Sequence, residues 1–351
     1  MNHVPDQNAP EFAIDHFGWL DPFVPNRWWR GGWLQTVSIK TLRPELTPDN
    51  WPGAQPFNVP DQNTPPDVLC GYYFPTRQPT DRPATILFHG MGGHALSGYM
   101  RSMAEHLLDA GYPVILWNNR GAGRSASKCT GLHHPGNVDD VKLLLRHLTT
   151  EHPQWVQSGI TAVAFSLGAN PLLCYLAESG DESQFSATVS VSAPLDMELT
   201  SRNLRRGMNR VFDRYLLHRQ QKELLRESAD LSARERSIID NVSSVWQLDD
   251  QFTAKRYGFE SAADYYRAHS AVHVLSQIRT PTLLFHASDD PVVDDAPFLD
   301  RDWQPGGPLY PAFSESGGHT GFLDRRGGRW HENAAAKFFD AMIDGIKRPT
   351  Q

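Results

Sequence analysis

Apolar residues along this chain gather in short unbroken runs separated by longer stretches of helical spacing. The runs predict buried β-strands near residues 68–74, 84–89, 112–118, 160–165, 186–192, 281–287 and 308–313. Between them, Met100, Met103, Ala104, Leu107 and Leu108 fall at i, i+3, i+4, i+7 and i+8, one face of a helix. Val138, Val141, Leu145 and Leu148 form a second face, with Asn137 expected as its N-cap and Asp139 and Asp140 favourable in the first turn. Ala335, Phe338, Phe339, Met342 and Ile343 form a C-terminal one. Continuously apolar strands alternating with amphipathic helices predict an α/β fold, a mostly parallel central sheet with helices on both faces. These periodic residues read as core, not as cofactor contacts.

Two regions break the alternation. Residues 1–66, rich in Pro, Asn, Asp and Trp, read as an irregular N-terminal arm. Its aromatic segment Trp28-Trp29-Arg30-Gly31-Gly32-Trp33 is expected to anchor the arm on the core, a surface recognition patch being the alternative. Between the two core segments, 67–194 and 281–351, residues 195–280 lose the strand pattern. There Leu204, Met208, Val211, Phe212, Tyr215 and Leu216 keep helical spacing among Arg202, Arg205, Arg206, Arg210 and Arg214. The segment is expected to form a helical cap or lid over the active site, shaping the pocket and excluding water. Its arginines offer charge to anionic lipid head groups or acidic substrates, although a solvated helix face is the simpler reading. No internal repeat is present.

The most specific chemistry lies at Val163-Ala164-Phe165-Ser166-Leu167-Gly168-Ala169-Asn170. An apolar strand ends abruptly at a serine flanked two residues away by small side chains, and a helix follows. That is the pattern of a nucleophile elbow, which lifts the serine hydroxyl out of the sheet. Ala164 stands where glycine is usual. A serine hydroxyl needs an imidazole to take its proton, and the imidazole needs a carboxylate to fix its tautomer. Both follow in the order serine, acid, histidine: Asp289-Asp290 after the strand ending at Ala287, and His319 in Gly317-Gly318-His319-Thr320-Gly321. Asp290, which precedes Pro291-Val292-Val293, is favoured over Asp289 as the acid. The glycine-rich His89-Gly90-Met91-Gly92-Gly93 follows another strand, so the backbone N–H groups of Met91 and Leu167 are the candidate oxyanion donors.

Bulk properties narrow the alternatives. The chain has 351 residues, 40% of them hydrophobic, and a net charge of −7 without a basic footprint for nucleic acid. Its three cysteines, Cys70, Cys129 and Cys174, are too scattered for a disulfide framework or a zinc site. The adjacent His133-His134 make a poor metal pair, His94 is a candidate pocket residue, and His286 is expected at the end of a buried strand. No metal or other cofactor is expected. With neither a signal peptide nor a long apolar span visible, a cytoplasmic setting is the default.

The chain resembles the YheT-like abhydrolase-domain family of α/β-hydrolases. The resemblance runs through Trp33-Leu34-Gln35-Thr36, His89-Gly90, Gly111-Tyr112-Pro113-Val114 and Asn119-Arg120-Gly121-Ala122-Gly123. It continues in the serine segment, Tyr257-Gly258-Phe259, Asp264-Tyr265-Tyr266, Asp289-Asp290-Pro291 and the histidine segment. It implies the α/β-hydrolase fold and a carboxylic-ester hydrolase with Ser166, Asp290 and His319 as its triad, acting on small-molecule or lipid esters. Ala164 and Asn118-Asn119 depart from the family pattern without removing a reacting group. An acyltransferase using the same triad is the alternative function. A non-catalytic binding module is the reading from a different class. Serine in place of aspartate at the elbow argues against a dehalogenase or epoxide hydrolase.

Overall fold

The computed structural model describes residues 20–42, 51–62, 67–304 and 306–347. Its centre is an eight-stranded sheet: β1 (Gln55–Pro60), β2 (Val68–Phe74), β3 (Ala84–Phe88), β4 (Val114–Trp117), β5 (Ile160–Phe165), β6 (Phe185–Val191), β7 (Thr282–Ala287) and β8 (Leu309–Ser314). The spatial order is β1-β2-β4-β3-β5-β6-β7-β8. β1, β2 and β4 pair antiparallel, and every later pairing is parallel. β3, β5 and β7 are buried along their whole length, as strands covered on both faces must be.

The longer helices are α1 (Gly32–Leu42), α2 (Gly98–Asp109), α3 (Asp139–Glu151), α4 (Ala169–Ser179), α5 (Met197–Leu204), α6 (Arg210–Leu224), α7 (Ala233–Asn241), α8 (Ala262–His269) and α9 (Trp330–Lys347). Met100, Met103 and Leu107 of α2 and Phe338 and Phe339 of α9 cover one face of the sheet. Val141, Leu144 and Leu148 of α3 and Leu172, Leu173 and Leu176 of α4 cover the other. α5 to α8 all lie between β6 and β7, where Leu217, Leu224, Ile239, Leu248 and Phe252 build a small core of their own. No described helix is long and apolar enough to cross a membrane.

Three sequence expectations change. Of the arm expected over 1–66, residues 1–19, 43–50 and 63–66 lie outside the described residues. The remainder is not irregular but holds α1 and the edge strand β1, which inserts only Phe57 and Val59 and carries Pro56 and Pro60. Prolines are tolerated at a sheet edge, yet they hide the strand from a pattern search. Trp33 packs on Phe212, with ring centroids 4.4 Å apart, whereas Trp28 is 73% exposed. The cap's apolar run spans two helices rather than one, broken at Gly207, whose φ is +46°. Finally, α3 starts at Asp139, with Val138 in the cap position. Asn137 accepts the Asp140 amide from one residue further out, at 3.3 Å.

Asp140 does more than favour a helix terminus. Its carboxylate accepts from Arg120 at 2.5 Å, and the same guanidinium donates to Asp61 and Asp67, each at 2.7 Å. All four residues are buried, so this network ties the antiparallel edge to β4 and α3. Removing Arg120 would leave three buried carboxylates without their counter-charge, a loss of roughly 3–5 kcal/mol.

Candidate active site

β5 delivers Ser166 at its carboxyl end. The serine adopts φ +51°, a left-handed conformation that L-residues avoid, and a 3-10 turn then feeds α4. Close packing around the turn explains the small residues. A Cβ on Gly168 would stand 2.2 Å from the His89 carbonyl oxygen, and one on Gly90 would stand 2.9 Å from the Ser166 Cβ. Ala164 is fully buried in the sheet, where its methyl group finds room.

The sequence-predicted partners meet Ser166 across the ends of β7 and β8. Ser166 Oγ lies 2.8 Å from His319 Nε2, and His319 Nδ1 lies 2.9 Å from Asp290 Oδ2. With Nδ1–H donating to the carboxylate, Nε2 is left to accept from the serine hydroxyl. The other Asp290 oxygen accepts the amides of Val292 (2.7 Å) and Val293 (3.0 Å). Burial alone would raise the Asp290 carboxyl, but the His319 imidazole and these hydrogen bonds hold it below the usual aspartate value. Asp289 turns away from the imidazole and accepts the Gly318 amide at 2.8 Å. Of the two aspartates, Asp290, the one favoured in the sequence, is the one within hydrogen-bond distance of the imidazole.

Met91 and Leu167 flank the serine. In the glycine-rich loop the amides of Gly90, Gly93 and His94 are used internally, by Tyr99 Oη, the Gly90 carbonyl and Ser97 Oγ.

The sequence alone assigns no role to the residues that brace His319, although Gln35 and Thr36 lie in the family-matching segment 33–36. Thr36 Oγ1 of α1 accepts the His319 amide at 2.8 Å and donates to the Gly32 carbonyl at 2.6 Å. Gln35 donates to the Leu323 carbonyl (3.1 Å) and accepts the Leu323 amide (2.7 Å). Arg329 donates to the Gly321 carbonyl (2.6 Å) and the Ser38 carbonyl (3.2 Å), closing the frame. Ser192 Oγ accepts the Thr320 amide at 3.1 Å. Among the described residues, the non-glycine residues with positive φ are Ser166, Ser192, Thr320 and Phe322, all in or beside the Ser166 and His319 loops. Backbone strain of about 1–3 kcal/mol per residue is concentrated where function needs fixed geometry.

Ser166 and His319 open onto a pocket of ≈ 580 Å³ walled by α1, the Gly90–Gly93 loop and α6, with Val37, Met91, Tyr99, Phe165 and Phe212 among its lining. A narrower cleft of ≈ 50 Å³ leaves Ser166 between Met197, Leu204, Val292 and Val293 toward Asp249 and Tyr266. Three other histidines singled out in the sequence are held by local contacts. His94 accepts the Leu96 amide, His134 bonds Tyr265 Oη, and His286 stacks on Phe298 at 4.0 Å with burial lowering it to about 4. No cluster able to hold a metal occurs among the described residues.

The chain is similar to known proteins over most of its length. Residues 83–324 match the family model described as alpha/beta hydrolase fold. The chain is 30% identical over 328 residues to the Escherichia coli protein named "Putative esterase YheT", covering 92% of each. It is 26% identical to the Saccharomyces cerevisiae protein named medium-chain fatty acid ethyl ester synthase/esterase 2, over 83% of this chain and 68% of that one. Among solved structures, a Pyrococcus furiosus esterase superposes with a TM-score of 0.57 at 16% identity, covering 86% of this chain and 97% of that one. At that identity the superposition speaks for the fold alone. Together, the strand order, the family match across most of the chain and the full-length similarity to the Escherichia coli protein show that this chain belongs to the α/β-hydrolase fold family, in its YheT-like abhydrolase-domain branch.

Proposed function

We propose that this protein is a serine hydrolase that cleaves carboxylic esters through an acyl-enzyme. The observation that carries the reading is the pair of hydrogen bonds linking Ser166, His319 and Asp290 on the floor of the ≈ 580 Å³ pocket. Ser166 Oγ attacks the ester carbonyl while His319 Nε2 takes its proton. Asp290 keeps the imidazole in the tautomer that can accept, and stabilises the imidazolium that forms. The carbonyl electrons move to oxygen, which the Met91 and Leu167 amides hold; one such donor is worth about 3–4 kcal/mol in the transition state. Collapse expels the alcohol, which leaves with the proton from His319. Water then attacks the acyl carbonyl as His319 takes one of its protons; collapse breaks the acyl–Oγ bond, His319 returns that proton to Ser166 Oγ, and the acid is released.

The mostly apolar lining of the wide pocket, far larger than a short acyl group needs, suits lipid-like acyl esters. A series of p-nitrophenyl esters from short to long acyl chains tests this. Hydrolysis is expected to favour medium or longer chains and to vanish in Ser166→Ala. Turnover persisting in that variant would remove the serine from the mechanism. Acyl transfer to an alcohol is the second reading, favoured by the same apolar lining, which admits an alcohol more readily than water. New ester formed when ethanol is added would identify it. Failure of a fluorophosphonate to label Ser166 would instead point to a non-catalytic module.

A further inference from the structure

The described residues expose eight large apolar side chains; five of them lie on or next to the two helices that wall the wide pocket, and three of the five line it. Leu34 (47% exposed) and Val37 (45%) lie one turn apart on α1. Across the opening, Val211 (60%) and Tyr215 (37%) lie one turn apart on α6, and Met208 (71%) precedes them. The Trp33 and Phe212 rings, 4.4 Å apart, join the two helices beneath this rim. Val37, Val211 and Tyr215 also line the pocket, so the exposed apolar surface continues inward toward Ser166.

Charge flanks the rim on its outer side. The exposed positions of α6 are Arg210, Val211, Arg214, Tyr215, His218 and Lys222: two apolar, three basic and one histidine, none acidic. Arg210, Arg214, His218 and Lys222 follow at steps of four, one beside the next along the helix. The one aspartate of this helix, Asp213, is turned inward and accepts the Val245 amide at 3.0 Å. Exposed Arg206 extends the basic margin past the helix start. This local excess of positive charge stands on a chain whose net charge is −7. An apolar stripe beside a cationic stripe is the pattern of a helix that lies in the plane of a membrane interface.

We propose that α6 and α1 seat the mouth of the pocket on an anionic phospholipid bilayer. Arg206, Arg210, Arg214 and Lys222 meet the head groups, while Met208, Val211, Leu34 and Val37 enter the acyl boundary. A lipid then passes from the bilayer into the pocket without exposing its chain to water. The docking stands on the surface alone and does not depend on the chemistry assigned to Ser166.

The test is co-sedimentation of the full chain with vesicles of phosphatidylcholine and with vesicles of equimolar phosphatidylcholine and phosphatidylglycerol. The protein is expected to pellet with the second and not the first, and to be released by high salt, because exposed charges are screened. Replacing Arg210, Arg214 and Lys222 together by alanine is expected to weaken binding roughly a hundredfold, about fivefold per charge. Met208→Glu is expected to weaken binding as well. An unchanged melting temperature shows that these surface variants are folded. Ser166→Ala should bind vesicles as the wild type does, so loss of turnover and loss of docking read out separately. Absence of binding to the anionic vesicles at low salt would overturn the proposal, as would binding that survives the triple alanine variant. So would a dimer in sedimentation velocity that Met208→Glu dissociates, since a second copy would then occupy the face.

Discussion

The two halves of the active site are held in place by different means. Ser166 is fixed by its own neighbours in sequence: the strand before it, the turn through Gly168 and the helix after it leave its backbone one conformation, φ +51°. Only the Gly90 loop, pressed against the serine Cβ, comes from elsewhere. His319 sits in a loop whose hydrogen bonds run to Thr36, 283 residues away, to Gln35 by way of Leu323, and to Asp289 by way of Gly318. The proposed nucleophile is thus encoded in a contiguous motif, whereas its proposed base depends on tertiary contacts with an N-terminal helix. Damage to the first should remove chemistry outright; damage to the second should loosen it by degrees.

The largest expected effect belongs to the elbow. Ser166→Ala should lower kcat for a p-nitrophenyl ester by roughly a millionfold, with the melting temperature held or slightly raised. Asp290→Asn should cost about ten-thousandfold in kcat, because the amide favours the wrong imidazole tautomer. Gly168→Ala probes the crowding itself. Its methyl would meet the His89 backbone at 2.2 Å, so denaturant titration should show a loss of about 1–3 kcal/mol together with weakened turnover.

The braced side should respond more gently. Thr36→Val removes the acceptor of the His319 amide and should lower kcat about tenfold through a misplaced imidazole, within the roughly hundredfold that a 1 Å error can cost. Thr36→Ser, which keeps the hydroxyl, should restore most of the rate. A full loss of turnover in Thr36→Val, or none, would erase the contrast between the two halves. The smallest effect concerns acid. The Asp290 carboxyl is held below its ordinary value of 3.8 in the folded chain. Its stabilising contribution is therefore present above that value and is lost as pH falls through the lower, folded one. Melting temperatures of wild type and Asp290→Asn should differ by a constant amount from neutral pH down to about pH 5 and converge at more acid pH.

The same contrast explains what the sequence made legible. The parallel strands β3, β5 and β7 are mostly apolar and β6 is an apolar run interrupted by Ser186, Thr188 and Ser190, and the triad segments sit where β5, β7 and β8 end, so pattern and motif agree. β1 offered only Phe57 and Val59 between prolines, and α1 follows a glycine pair in a Trp-rich segment without a clear apolar face. Neither carries a local signal strong enough to stand out from an irregular arm. Thr36 and Gln35 gain their roles only once the chain brings α1 against the His319 loop. The break at Gly207 was hidden for a related reason: apolar residues on both sides keep helical spacing across a glycine that turns the chain.

The exposed rim of α1 and α6 sharpens the division further, since α1 serves both the bracing of His319 and the pocket mouth. Charge reversal on α6 should leave hydrolysis of a water-soluble ester intact while changing capture from vesicles. Thr36→Val should do the opposite.

The central claim is tested most directly by treating the full chain with a fluorophosphonate and locating the adduct by peptide mass spectrometry. One adduct on Ser166 is expected, absent from Ser166→Ala and formed far more slowly in His319→Ala, with esterase activity lost in step with labelling. Labelling at another residue, or undiminished ester hydrolysis by protein fully labelled at Ser166, would contradict it.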